Sequence, residues 1–303
     1  MEWTIGSARI TAIYEQPLEN MEYLMPDVVP EKMLAVDWLS PHFVDQNGRM
    51  IAVIQCFVVE IGNKTLVVDT CVGDGKNLPL APAWHRATTG FLERFRSAGF
   101  DPPEVDAVLC THMHVDHVGW NTHWDGQVWR PTFPNARYFF SRREFEFWET
   151  FSTLHLAEAD VKYERPSVPV MLQRTQINVH EDSIQPIFDA GLAELVDPPC
   201  EPIPGVELFP TPGHTPGHVS VIIKSTRQGA LITGDSFHHP CQIAYPAWSS
   251  IADADQAASH ATRTAVLEKL VGTSTLLFGT HFAEPTAGRI VRDGMAFRFD
   301  WAR

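Results

Sequence analysis

The strongest constraint on this chain is THMHVDHVGW, residues 111–120, in which three histidines and one aspartate fall within six positions. It follows VDAVLC, residues 105–110, a short Val- and Leu-containing run of the kind that forms a buried strand. After it, Gly119 and the polar NTHWDG read as loop and turn. The cluster is therefore predicted on a loop leaving a strand end, where a rigid sheet presents reactive groups. In an extended chain alternate residues face one way, so His112, His114 and Asp116 can share a side. His117 breaks that alternation, and the chain must turn there. A turning chain can aim His112 and His114 at one metal ion and Asp116 and His117 at a second. Imidazole nitrogens and carboxylate oxygens are the usual ligands of Zn²⁺ and related divalent ions. The helical zinc motif His-Glu-x-x-His is absent. The plainer alternative is a histidine-rich surface loop, against which the placement directly after a strand argues.

Two ions need more than four ligands, and the same arrangement recurs downstream. TPGHTPGH at 211–218 follows VELF, GDS at 234–236 follows ALIT, and GTH at 279–281 follows TLLF. Each time a His or Asp stands just past a short apolar run. Strand ends at one edge of a sheet can converge although their residues are distant in sequence.

This series, HxHxDH, the TPGHTPGH histidine, a Gly-Asp and a late Gly-x-His, resembles the metallo-β-lactamase-fold hydrolase superfamily. The likeness runs from LVVDT at 66–70 to His281. It implies an α/β fold, an αββα sandwich of two mixed sheets flanked by helices, and two divalent ions, zinc first and Mn, Fe or Co as alternatives. By position, His112, His114 and His214 would bind one ion, Asp116, His117 and His281 the other, and Asp235 would bridge them. Asp69 would support a ligand histidine, and His218 would be structural or supporting. The implied chemistry is hydrolysis by a hydroxide shared between the ions, with Asp116 and Asp235 as the catalytic carboxylates and Asp116 passing a proton to the leaving group. THMHVDHVGWNT followed by FPNARYFF is most similar to the branch of acyl-homoserine lactonases and methyl parathion hydrolase-like enzymes. Lactones or related esters are then the expected substrates, with organophosphate triesters and aryl esters as the alternative. Phe237 and His238 are candidates to line the pocket. Phe237 has no hydroxyl to donate, whereas the resemblance implies a tyrosine two residues beyond the bridging aspartate. From other classes, an iron-dependent oxidoreductase of the same fold and a metal-retaining binding protein remain open.

Composition narrows the partners. Against 23 Lys and Arg stand 37 Asp and Glu, a net charge of −14, which disfavours nucleic acid, while the resemblance implies a small-molecule substrate. No apolar stretch approaches the ~18 residues of a membrane span, and the first residues lack a signal-peptide pattern. The five cysteines are odd in number and form no Cys-x-x-Cys pair, as expected of a reduced, cytoplasmic chain.

The 303 residues are read as a single domain. Strands are predicted at 51–60 and 65–70, joined at Gly62 and Asn63, and helices at 88–99, 141–151, 182–191 and 253–272. Residues 15–50, rich in Met, aromatics and Pro, read as a long loop packed on its own domain, or as an arm or lid over the site or a neighbouring subunit, the latter favouring a homodimer. The GDG at 73–75 is a turn, Trp124 and Trp129 flank a hairpin, and Asp253 and Asp255 are helix N-terminal acids. His42, His85, His123, His155, His180 and His260 have no partner at ligand spacing and are taken as structural.

Overall fold

The computed structural model describes residues 1–153, 175–226 and 228–301, so His155 lies outside the described residues. The chain divides into two compact units. The first comprises Met1, Thr11–Glu15 and Cys56–Asp197; the second comprises Glu2–Ile10, Gln16–Gln55 and Pro198–Arg303.

Sixteen strands are named along the described chain: β1 Glu2–Ile5, β2 Ala8–Pro17, β3 Val53–Ile61, β4 Lys64–Val68, β5 Ala107–Leu109, β6 Thr122–Trp124, β7 Trp129–Pro131, β8 Arg137–Ser141, β9 Ala193–Val196, β10 Cys200–Ile203, β11 Val206–Pro210, β12 Val219–Ile223, β13 Ala230–Ile232, β14 Leu276–Phe278, β15 Ala287–Asp293 and β16 Ala296–Asp300. They build two mixed seven-stranded sheets, ordered β1-β2-β3-β4-β5-β8-β9 and β10-β11-β12-β13-β14-β15-β16, and a small β6-β7 hairpin. That hairpin pairs Trp124 with Trp129.

In the first unit β4, β5, β8 and β9 are mutually parallel. A strand covered on both faces reads as an unbroken apolar run rather than an alternation. Leu66, Val67 and Val68 of β4 and Ala107, Val108 and Leu109 of β5 are accordingly 0% exposed. Parallel strands end at one edge. The residues that follow β4, beginning with Asp69, and those that follow β5, beginning with Cys110, therefore leave the sheet on the same side.

The second unit repeats the device with a different topology. β11 is antiparallel to β12, β12 is antiparallel to β13, and β13 is parallel to β14. β11, β13 and β14 thus run in one direction and finish at one edge. The segments carrying His214, Asp235 and His281 follow those three ends.

The helices mark their limits with local chemistry. Phe91–Ser97 buries Phe91 and Phe95 and is followed by Gly99 at φ +94°. Gln256–Leu270 starts later than the sequence suggests, because Asp255 is the capping residue and its side chain accepts from Ala258 N. The predicted 182–191 helix is a wide helical turn, His180–Ile184, leading into Gln185–Asp189 with Pro186 in its first turn. Segment 16–50 carries two short helices, Met21–Leu24 and Pro30–Leu34. Many of its apolar residues are interior, Met21 and Met33 being at most 1% exposed, and Phe43 meets Phe282, Phe299 and Trp301 ring to ring within the second unit, whereas Tyr23, Val29 and Leu34 are exposed. Among the described residues no helix is long and apolar enough to cross a membrane.

Candidate metal centre

In the first unit the 110–121 loop is fixed by Asp69 and by its own backbone. Asp69 is buried in the left-handed region, φ +56°, an unfavourable conformation for a residue with a β-carbon. Its Oδ1 accepts from Thr111 N at 2.8 Å. Its Oδ2 accepts from Thr111 Oγ1 at 2.9 Å and from His117 Nδ1 at 2.9 Å. Gly119 lets this loop lie against the strand-end segment 70–73: Gly119 N donates to Cys71 O, and an added β-carbon would stand 1.7 Å from Val72 O. Gly119→Ala is therefore expected to fold poorly, with a lower melting temperature and less soluble protein. The buried Glu15 carboxylate ties the same region down, accepting from Val72 N, Gly73 N and Trp120 Nε1. Burial raises its pKa to about 7 against the pull of those hydrogen bonds. On the other side Glu144 accepts from Met113 N and Trp148 Nε1, and the Trp148 ring stands 5.2 Å from that of His114.

The positions of the imidazole protons decide whether these histidines suit a metal. A carboxylate accepts only, so His117 Nδ1 carries the proton and Nε2 keeps its lone pair. The Thr111 hydroxyl gives its hydrogen to Asp69, so toward His112 Nδ1, 3.1 Å away, it can only accept. His112 therefore also keeps a lone pair on Nε2, and that atom faces His114 Nδ1 at 3.0 Å. Asp116, the most accessible of the group, places Oδ1 3.7 Å from His117 Nε2.

The second unit gives the same result. His214 Nδ1 is 2.9 Å from Asp253 Oδ1, and His281 Nδ1 donates to Val53 O at 2.9 Å. Both imidazoles thus turn a lone-pair Nε2 toward Asp235. His214 Nε2 lies 3.5 Å from Asp235 Oδ2, and His281 Nε2 lies 3.1 Å from Asp235 Oδ1. One carboxylate addresses a different imidazole with each oxygen, which is what a carboxylate shared by two cations requires. Gly213, at φ +135°, makes the approach of His214 possible, since a β-carbon there would stand 2.2 Å from Ser259 N.

His218 has another task. Its Nδ1 is 2.8 Å from Thr211 Oγ1, and its Nε2 accepts from Asp235 N at 2.9 Å. It holds the backbone that presents Asp235. The Phe237 side chain is 0% exposed and enclosed by the core, so it presents no surface to a substrate, and the polar group brought to Asp235 is that of His238. His238 Nε2 is 3.5 Å from Asp235 Oδ2, and burial lowers its pKa to about 4.

Asp253 is the residue that sequence reasoning missed. It does not serve the helix; it accepts from Ser250 N at 3.1 Å, lies 3.6 Å from the fully buried Arg263 guanidinium and fixes the His214 tautomer. Burial opposes its ionisation, but the hydrogen bond with His214 and the neighbouring charges hold its pKa below the usual carboxylate range. Only the proximity of a second acid, Asp255, was visible in sequence, and that suggested a helix start. Asp253→Asn is expected to keep the fold and weaken metal binding by roughly 10–100-fold, the usual effect of losing a group that orients a ligand histidine. Metal titration against a competing chelator measures it.

Residues 52–281 match the family model described as the metallo-β-lactamase superfamily. The chain belongs to the metallo-β-lactamase superfamily. Its fold is that of the family, with the mixed sheets and flanking helices expected from sequence. Relatives include an uncharacterised protein of Bacillus subtilis (strain 168), YobT, 26% identical over 61% of this chain and 62% of its own length. The N-acyl homoserine lactonase AttM of Azorhizobium caulinodans is 27% identical over 48% of this chain and 46% of its own length. The N-acyl homoserine lactonase AiiA of Bacillus thuringiensis subsp. kurstaki is 24% identical over 67% of this chain and 72% of its own. The match thus spans less than two thirds of the first two relatives. Among solved structures, the dizinc quorum-quenching lactonase AidC superposes with a TM-score of 0.78 at 20% identity, covering 100% of this superfamily member and 97% of AidC. The hydrolase AbOPH gives a TM-score of 0.78 at 22% identity with the same coverage.

Proposed function

We propose that this superfamily member is a dinuclear metal-dependent hydrolase acting on lactones of the acyl-homoserine type or on related esters. The observation that carries this reading is Asp235, whose two oxygens each face a different metal-ready imidazole, His214 and His281. The ligand sets follow the family pattern: His112, His114 and His214 for one ion, Asp116, His117 and His281 for the other, Asp235 for both. The metal-ready tautomers of His112, His117, His214 and His281 support that assignment. Two divalent ions, zinc in this proposal, supply when bound a hydroxide at neutral pH and a Lewis acid for the substrate carbonyl.

The chain's own residues then do three things. Asp69 and Asp253 hold ligand imidazoles in the tautomer that keeps Nε2 unprotonated. Asp235 keeps its geometry through the hydrogen bond from its own N–H to His218. Asp116 takes up the proton released as water adds to the carbonyl and passes it to the leaving alkoxide as the ester C–O bond breaks, so that lactone and water yield a hydroxy acid. The lactone assignment draws on the lactonases among the relatives, and on AidC and a second neighbour, an N-acyl homoserine lactone hydrolase, both solved with a hexanoyl-homoserine product.

The test is proton release from metal-loaded protein on short- and long-chain acyl-homoserine lactones, simple γ- and δ-lactones, aryl esters and a phosphotriester. Turnover of lactones that is lost on chelation and restored by metal is the expected result. Turnover confined to phosphotriesters would replace the substrate class, and no turnover by a protein holding two ions would overturn the hydrolase reading.

A further inference from the structure

Between the Cα atoms of His112 and His114 the chain consists of two peptide groups hinged at Met113. Each peptide is planar and rigid, so the φ and ψ of Met113 alone set how one plane lies against the other. Both planes are held. Glu144 Oε1 accepts from Met113 N at 3.1 Å, which fixes the peptide joining His112 to Met113. Gln176 Nε2 donates to Met113 O at 2.9 Å, which fixes the peptide joining Met113 to His114. Met113, Glu144 and Gln176 are all buried, so solvent does not compete for either contact.

Gln176 reaches Met113 from the helical stretch 175–179, and that stretch is itself anchored in the first unit. Asn178 Nδ2 donates to Asn77 O at 2.7 Å. Val179, Ile184 and Ile187 are interior. The buried Lys76 ammonium enters the wide turn His180–Ile184, where it donates to Ser183 Oγ at 2.9 Å and stands 3.4 Å from Asp182 Oδ1. It also donates to Thr122 Oγ1 at 2.8 Å and lies 3.8 Å from the centre of the Trp129 ring. A buried ammonium is costly unless it is paired and hydrogen-bonded, and Lys76 is both. The Gln176 amide is thus delivered by a braced element. An amide also donates without bringing charge, whereas lysine or arginine in its place would set a cation beside two proposed metal ligands.

We propose that Gln176 is a positioning residue of the metal centre, acting with Glu144 on either side of Met113 to hold the His112 and His114 imidazoles in the relation in which both serve one ion. This rests on the reading of the site as a metal centre. The two rings stand 4.7 Å apart at 83° to one another, and the Met113 hinge lies between them. Without the Gln176 amide the Met113 carbonyl becomes a buried acceptor that has lost its donor, which drives the second peptide plane to turn in search of another. The His114 imidazole turns with it. Groups that orient metal ligands without touching the ion change its affinity by roughly 10–100-fold.

The experiment compares wild type with Gln176→Met, in which a side chain of similar length has no N–H to donate. Four quantities are measured: Zn²⁺ affinity against a competing chelator, the visible spectrum of the Co²⁺-loaded protein, the melting temperature of the metal-free protein, and amide hydrogen exchange over residues 111–117 without metal. Gln176→Met is expected to bind its more tightly held Zn²⁺ roughly 10-fold or more weakly, to show an altered Co²⁺ spectrum, and to exchange faster over 111–117. A wild-type affinity or a wild-type spectrum would overturn the proposal whatever happens to the melting temperature, since a merely structural contact lowers stability and leaves the ligand geometry alone. If wild type binds two ions and hydrolyses nothing, the hydrolase reading fails and these criteria stand unchanged. If wild type binds no metal, the metal reading fails and exchange decides: faster exchange in Gln176→Met supports the clamp on Met113, and equal exchange overturns it. If Gln176→Met does not fold, Gln176→Leu takes its place under the same criteria.

Discussion

Replacing Asp235 by alanine is expected to reduce bound divalent metal from two ions per chain to one or none and to lower turnover by roughly 10³-fold or more. Asp235 Oδ1 is 3.1 Å from His281 Nε2 and Oδ2 is 3.5 Å from His214 Nε2, so one truncation removes a ligand from each proposed ion. Its carboxylate is also the negative charge to which those imidazoles are turned. The fold has little reason to fail, since His218 holds the Asp235 backbone and not its side chain. Elemental analysis of the purified variant, with a melting curve and lactone turnover, separates the possibilities. Two ions retained with normal turnover would remove Asp235 from the centre.

Asp69→Ala is expected to be the most damaging change to stability. It strips acceptors from Thr111 N, Thr111 Oγ1 and His117 Nδ1 at once, all of them buried. An unsatisfied buried donor costs ~1–3 kcal/mol, so three place the loss at about 3 kcal/mol or more. Alanine gains nothing at φ +56°, where the native residue is held by those same hydrogen bonds. Asp69→Asn keeps the shape and an oxygen for Thr111 but turns an amide N–H₂ group toward one of the donors. It should melt closer to wild type and still bind metal roughly 10–100-fold more weakly. Denaturation of both variants without metal, followed by metal titration, checks the two halves. Equal melting of Asp69→Ala and wild type would show that this carboxylate does not hold the loop.

The legible parts of the sequence were those in which one local signal carried the answer. The ends of β4 and all of β5 are continuous apolar runs because both faces are covered, and such runs declare themselves as buried strands: Leu66–Val68 and Ala107–Leu109 are all fully interior. The groups that follow them, Asp69 and His112, could therefore be placed at strand ends. The same holds for His214, Asp235 and His281 after β11, β13 and β14. Asp253 was not legible, because its partners His214 and Arg263 are 39 and 10 positions distant in sequence, and a carboxylate ahead of a helix satisfies an equally good local rule. Glu15 and Glu144 were hidden for the same reason. Their backbone partners, Val72, Gly73 and Met113, leave no mark in residue type. Phe237 and His238 show the opposite limit. Adjacent residues on an irregular turn point differently, and only the structure shows that the phenyl ring is interior while the imidazole faces the carboxylate.

Whether Asp235 joins two metal ions in one hydrolytic centre is the point on which the rest depends. The most direct measurement is anomalous diffraction from crystals of the metal-loaded protein, recorded on both sides of the zinc absorption edge. Two peaks roughly 3.5–4 Å apart are expected, each within bonding distance of a different Asp235 oxygen. A single peak, or two peaks of which neither touches Asp235, would contradict a shared carboxylate.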